Sequence, residues 1–200
     1  AFQEVIEMGL QGNKISFQDQ AYSALALSFT GLDAEIDEEE AKVKGTTAKR
    51  NTGTPGWQRA QEYFRKVEKR AQKPGLMIEQ LERIARIYGT QDNIELELAV
   101  YEFLIKEDGR SMNIPQYADA MVQAYKDLDS SLAGLDKTEE QINRFFDYFD
   151  PNSKTSQWHK ANDQADDSHQ SALQQAAQFR HIQLDWMIST FHKKAQEVEK

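Results

Sequence analysis

Apolar side chains recur at alternating steps of three and four residues in two tracts, one near each end of the chain. The first tract contains Ile15, Gln18, Tyr22, Leu25, Phe29, Leu32, Ile36, Glu39 and Val43. The second contains Leu173, Ala177, Arg180, Leu184, Met187, Phe191, Lys194 and Val198. This is the coiled-coil period, so each tract predicts a long helix with an apolar seam for a partner helix.

Between the two tracts the same analysis predicts shorter amphipathic helices. Pro55 and Pro115 stand where helices begin, and Gly89, Gly109 and Gly134 stand where helices end. No segment shows the apolar–polar alternation of a strand bounded by turns. The fold class is therefore predicted to be all-α, an elongated bundle of seven or eight helices.

The two tracts predict how the chain is organised into domains. Their lengths are similar, roughly 42 Å and 38 Å at the rise of an α-helix, which suits antiparallel pairing within one chain. Residues 1–44 and 153–200 are predicted to form this coiled-coil stalk, residues 45–56 a flexible loop, and residues 57–152 a helical middle subdomain. Pairing of a tract with a helix of another molecule is the alternative.

The last helix carries a second apolar flank beside its seam. This flank contains Ala172, Ala176, Phe179, Ile182 and Trp186. It is wider than a two-helix seam needs, so it either packs on the middle helices or contacts another subunit. We predict Leu184, Met187 and Phe191 as seam residues. Aromatic side chains often anchor interfaces, so Phe179 and Trp186 are predicted to contact a partner.

Charge and composition exclude several classes of partner. The chain has a net charge of −9, which disfavours nucleic acid, and no apolar run approaches the length of a membrane span. The charge is uneven, because residues 42–73 hold ten lysines and arginines against Glu62 and Glu68. This basic segment is either a solvated helix face or a docking patch for an acidic protein.

No motif in the sequence indicates a catalytic, cofactor-binding or metal site. There is no cysteine, and no nucleotide-binding or nucleophile motif is present. The four histidines all fall on the last helix, and Asp166 with His169 is the one pair that loosely fits metal-ligand spacing. The segment that starts at Asp150 departs from a calcium loop at Lys154 and Thr155. We therefore expect a protein that is not an enzyme.

Four short segments of the last helix carry a family resemblance. They are Asn162-Asp163, His169-Gln170-Ser171, Leu184-Asp185-Trp186-Met187 and Phe191-His192-Lys193-Lys194. Together they resemble the helix that hydrophilic needle-tip and filament proteins of bacterial type III secretion systems use to polymerise or dock on the needle. The resemblance covers about the last forty residues.

This resemblance implies a function and a location. It implies a non-enzymatic protein–protein interaction component of a bacterial secretion or surface assembly, secreted or on the cell surface, with a role in virulence. Its partners would be proteins, further copies of itself included. The alternative is a helical regulatory or chaperone-like adaptor that binds a partner protein through its middle helices.

Overall fold

The computed structural model of the chain describes residues 20–31, 54–128 and 132–198. Every regular element in these ranges is a helix, so the all-α prediction is confirmed. There are eight helices in the described ranges. The chain divides into two compact units, Ala1–Leu104 and Ile105–Lys200.

The first unit contains α1 (20–31), α2 (Gly56–Ala71), α3 (Leu76–Thr90) and most of α4 (Ile94–Glu107). Helix α1 lies on α2, where the ring of Tyr22 is 6.1 Å from that of Phe64 and the ring of Phe29 is 6.2 Å from it. Leu25 is buried as well. The described seam residues of the first tract therefore pack inside the first unit.

A tight connection joins α2 to α3. Gln72 and Gly75 both adopt left-handed backbone conformations there, with φ of 50° and 86°. The carboxylate of Glu68 accepts a hydrogen bond of 2.8 Å from the backbone N–H of Met77. This bond satisfies one of the unpaired N–H groups in the first turn of α3.

The second unit contains α5 (Ile114–Leu128), α6 (Leu132–Tyr148), α7 (Trp158–Asn162) and α8 (Asp167–Val198). Helices α5, α6 and α7 all pack against α8. Pairing of Gln116 with Gln175 and of Lys126 with Gln183 shows that α5 and α8 run in the same direction. Helix α6 returns along α5, because Tyr148 near its end bonds to Gly109 just before α5 begins.

Three side chains hold the segment that leads into α5. Tyr148 Oη donates to the carbonyl of Gly109 at 2.6 Å, Asn162 Nδ2 to that of Arg110 at 3.0 Å, and Trp158 Nε1 to that of Ser111 at 2.7 Å. A Cβ at Gly109 would lie 2.9 Å from the Tyr148 oxygen, so a larger residue there would displace the Tyr148 hydroxyl. These bonds tie α6 and α7 to the start of α5.

Two local predictions in the second unit are wrong. Gly134 was expected to end a helix, but α6 begins at Leu132 and runs through it, and Thr138 Oγ1 donates to the Gly134 carbonyl at 2.9 Å. All four histidines, His159 among them, were expected on one last helix. The structure instead forms the short helix α7 and then starts α8 at Asp167, with Asp166 as its cap.

The boundary between the two compact units lies between Leu104 and Ile105, within the residue range 57–152 for which one middle subdomain is predicted. Helices α5 and α6 of that segment support the last helix, since both pack on α8. Pairing of the two terminal tracts in one antiparallel coiled coil is not confirmed. Residues 1–19 and 32–53, which hold six of the nine residues of the first tract and most of the 45–56 loop, lie outside the described residues.

Candidate interaction surface on the last helix

One face of α8 belongs to the core of the second unit. Ala172, Ala176, Phe179 and Gln183 are all buried, and they follow one another at steps of four, three and four residues. This is the spacing of a single helical face. The second apolar flank therefore packs on the middle helices through Ala172, Ala176 and Phe179, which was one of its two predicted roles.

Phe179 is the centre of an aromatic cluster. Its ring centre lies 6.0 Å from that of Phe145, 6.3 Å from that of Phe146 and 5.7 Å from that of Phe149. All three pairs meet edge to face, and 3% of Phe179 is exposed. Phe179 was predicted to contact a partner, and its position in this structure is that of a core residue.

A polar junction follows the aromatic cluster on the same face. Gln183, which is 2% exposed, accepts a hydrogen bond of 2.7 Å from Lys126 Nζ and donates one of 3.4 Å to Asp119. The Lys126 ammonium also lies 4.3 Å from the ring centre of Trp186. Burial lowers the pKa of Lys126, and the carboxylates of Asp119 and Asp127 oppose that shift. Trp186 is thus half-buried under a lysine of its own unit.

Beyond the junction a different face of α8 is apolar. Leu184 is 48% exposed, Ile188 61% and Phe191 39%, and Ala195 continues the row in an exposed position. Their steps of four, three and four residues place them on one side of the helix, about 120° around the axis from the core-facing side. We call Leu184, Ile188, Phe191 and Ala195 the outer stripe.

The outer stripe includes some of the predicted seam residues and misses others. Leu184 and Phe191 belong to it, whereas Met187 is half-buried between the outer stripe and the core-facing side. Ile188 is the most exposed of the three large side chains. It was not predicted, because steps counted from Leu173 arrive at Met187. The sequence signal for it was the i, i+4, i+7 spacing of Leu184, Ile188 and Phe191. A binding role for these residues stays a prediction.

Charges of both signs border the outer stripe. Arg180 and Lys194 lie along one edge, and Asp185 and His192 along the other. Lys194 Nζ is 5.5 Å from the ring centre of Phe191, and His181 Nε2 is 3.7 Å from Asp185 Oδ2. A surface with an apolar centre and mixed charges at its rim has the composition of a protein–protein contact.

The Asp166–His169 pair is a helix cap in this structure. One oxygen of Asp166 accepts the backbone N–H of His169 at 3.2 Å, and the other lies 2.6 Å from His169 Nδ1. The backbone N–H of His169, followed by its side chain, lowers the pKa of Asp166. Both bonds stabilise the carboxylate at the N-terminus of α8, where negative charge is favourable. In the described part of the chain no group of three or more histidine and carboxylate side chains could hold a metal ion.

The basic segment forms one exposed side of α2 in its described part. Lys66, Lys69, Arg70 and Lys73 are exposed there, and Lys73 forms a 3.9 Å ion pair with Glu79. A shallow groove of about 290 Å³ on this side is lined by Gln61, Glu62, Arg65, Lys66 and Lys69. Residues 42–53 of the segment lie outside the described ranges.

Comparisons with known proteins add no relative. No protein-family model matches the sequence, and no match is found among curated proteins or solved structures. Within residues 20–31, 54–128 and 132–198, none of the helices combines the length and the apolar character that crossing a bilayer requires.

Proposed function

We propose that the chain is a non-enzymatic protein–protein interaction component that binds its partner through the outer stripe. The observation that carries the proposal is the exposure of Leu184, Ile188 and Phe191 along one side of α8, while the first half of this helix packs in the core of the second unit through another side. Single exposed apolar residues are ordinary, but a row of large ones at helical spacing marks an interaction surface. None of these three side chains belongs to the buried core of the second unit.

The shape of the outer stripe favours a helical partner. It is one residue wide and repeats at steps of four and three, which is the pattern of a coiled-coil seam. Helices that dock on such a seam present matching rows of apolar side chains. A flat or globular partner would need a broader apolar area than this row provides.

We place this component in a bacterial secretion or surface assembly, with a secreted or cell-surface location. Support comes from the resemblance of the last helix to needle-tip and filament proteins, whose quoted segments contain Leu184 and Phe191 of the outer stripe. Tyr22 and Leu25 of the first tract are buried inside the first unit, so these two seam residues are already packed. A partner from another molecule is therefore the simpler proposal.

The alternative function is an adaptor that binds an acidic protein through the basic side of α2. The exposed lysines Lys66 and Lys69 beside a shallow groove favour it. Binding of this kind depends on charge and weakens as salt screens it, whereas binding through the outer stripe depends on apolar contact. Salt dependence of partner binding therefore separates the two functions.

A photo-crosslinking residue tests the proposal in cells that express the chain naturally. We would place it at Ile188 in the outer stripe and, as a matched control, at Gln174, which is exposed in the first half of the same helix. The expected result is a crosslink to a protein from position 188 and none from position 174. Phe191→Asp in the same chain should reduce the crosslink at least several-fold.

Two results would contradict the proposal. Equal crosslinking from positions 174 and 188 would mean that the outer stripe has no special contact. An unchanged crosslink in the Phe191→Asp variant would mean that the apolar surface does not hold the partner.

A further inference from the structure

The outer stripe has a heptad register that differs from the seam predicted over the whole second tract. Leu184, Ile188, Phe191, Ala195 and Val198 take the positions d, a, d, a and d in turn. In this register Arg180, Met187 and Lys194 fall at g positions, and Asp185 and His192 fall at e positions. The first three of these core positions, Leu184, Ile188 and Phe191, are exposed in the structure.

The residue types at the core positions suit a pair of helices. Among parallel coiled coils, an isoleucine at a with a leucine at d favours two strands over three or four. Ile188 and Leu184 occupy these positions at the start of the row. Leu184 to Val198 is 14 residue steps, roughly 21 Å of helix. Only a weak, concentration-dependent dimer can be expected from two heptads.

The flanking charges favour the parallel orientation. In a parallel pair a g residue faces the e residue five positions later on the other helix. Arg180 then faces Asp185, and this contact joins opposite charges. In an antiparallel pair with full overlap, Lys194 would face Met187, and Asp185 would face His192. The parallel arrangement therefore pairs more opposite charges.

The position of the outer stripe leaves room for a second helix. It faces about 120° away from the residues that pack on α5 and α6. Helix α5 ends at Leu128, two residues after Lys126, which contacts Trp186 near the start of the row. A twofold axis parallel to the two paired helices would place the second unit of one copy and that of the other copy on opposite sides of the pair.

Resting on the function proposed above, we infer that the occupant of the outer stripe is a second copy of this chain. The two last helices pair in parallel and in register through Leu184, Ile188 and Phe191. The contact is isologous, so each copy supplies the same surface. Arg180 of one copy lies against Asp185 of the other, and this pairing sets the register.

Single cysteines test the orientation cleanly, because the chain contains none. In a parallel, in-register pair identical positions face each other along the whole row. Leu184→Cys and Ala195→Cys should therefore each form disulfide-linked dimers under mild oxidation. Gln174→Cys is the matched control on the same helix and stays monomeric. We expect at least a fivefold higher crosslinked fraction for each of the two variants than for the control.

The possible outcomes separate this inference from the proposed function. If neither variant exceeds the Gln174→Cys control, the second copy is not the occupant. A crosslink from Ile188 to a different protein would still support the proposed function in that case. If dimers form only when Leu184→Cys is mixed with Ala195→Cys, the pair is antiparallel and the inferred orientation is wrong.

Charge reversal tests the register independently. Arg180→Glu places two negative charges opposite each other and should raise the dissociation constant of the dimer about threefold or more. The double variant Arg180→Glu/Asp185→Arg restores opposite charges across the pair and should return the constant towards that of the native chain. If the double variant is as weak as the single one, Arg180 does not face Asp185. Thermal unfolding of each variant checks that the second unit stays intact.

Discussion

The two halves of α8 have similar apolar periodicity but different surroundings. In residues 167–183 the apolar side is covered by α5, α6 and α7, and Phe179 is 3% exposed. In residues 184–198 a different side is apolar, and Ile188 is 61% exposed. Core packing ends near the contact between Lys126 and Trp186, close to the end of α5. One helix thus packs in the core with its first half and exposes an apolar row with its second.

The largest expected effect is the difference in stability when phenylalanine is replaced by alanine in the first half of α8 and in the second. Phe179→Ala should lower the free energy of unfolding by about 3–5 kcal/mol, because it leaves a cavity among three aromatic rings. Phe191→Ala, the matched change in the second half, should lower it by less than about 1 kcal/mol, because exposed positions contribute little. Urea unfolding followed by tryptophan fluorescence measures both. Similar losses in the two variants would mean that both halves belong to the core.

A smaller effect is expected at the boundary between the halves. Lys126→Met keeps the aliphatic side chain but removes the hydrogen bond to Gln183 and the charge over Trp186. We expect the free energy of unfolding to fall by about 1–2 kcal/mol, since a buried amide loses a partner and a cation–π contact is lost. The same urea experiment measures it. No loss of stability would show that the contacts of Lys126 with Gln183 and Trp186 do not stabilise the second unit.

The charge of Lys126 also predicts a pH dependence. Burial lowers its pKa from 10.5, so the unfolded chain keeps the proton to higher pH than the folded chain does. Between the lowered value and 10.5 the unfolded state binds more protons, and the free energy of unfolding should rise with pH in this window. Burial raises the pKa of Tyr101 to about 12, which makes stability fall above pH 10.

A difference measurement isolates the lysine. The urea midpoint of the native chain minus that of Lys126→Met, followed from pH 8 upwards, removes the contribution of Tyr101. This difference should increase with pH up to the ordinary pKa of lysine. A difference that stays constant or decreases with pH would contradict a pKa of Lys126 that burial has lowered.

The smallest expected effect is in the outer stripe. Ile188→Gln should change the free energy of unfolding by about 0.5 kcal/mol or less, because the side chain is already largely in water. Gln174→Ala, an exposed change in the first half of the helix, is the control. Calorimetry on both variants at low protein concentration measures the intrinsic stability. A loss above about 2 kcal/mol for Ile188→Gln would identify a core residue.

The sequence predicted the helical class and the separate helices of the middle region, because prolines, glycines and apolar spacing are local signals. Which surface covers each apolar row is not local. Tyr22 and Phe179 were predicted as a seam residue and a partner contact, and both are buried by helices of their own unit. Asp166 carried a local signal, three residues before His169, that indicates a helix cap as readily as a ligand pair. Ile188 was missed because steps of three and four residues fit either of two neighbouring rows on the last helix. The row counted from Leu173 passes through Met187 and leaves Ile188 out.

The central claim is that the outer stripe is a surface for association and not part of the core. The most direct test measures association and folding of one variant. Sedimentation across a range of concentrations is measured for the native chain and for Leu184→Gln/Ile188→Gln/Phe191→Gln, together with thermal unfolding of the same samples. The outer stripe is a surface for association if the native chain gains mass with concentration while the variant stays monomeric and melts at nearly the same temperature. A variant that unfolds as Phe179→Ala does, or that associates as the native chain does, contradicts the claim.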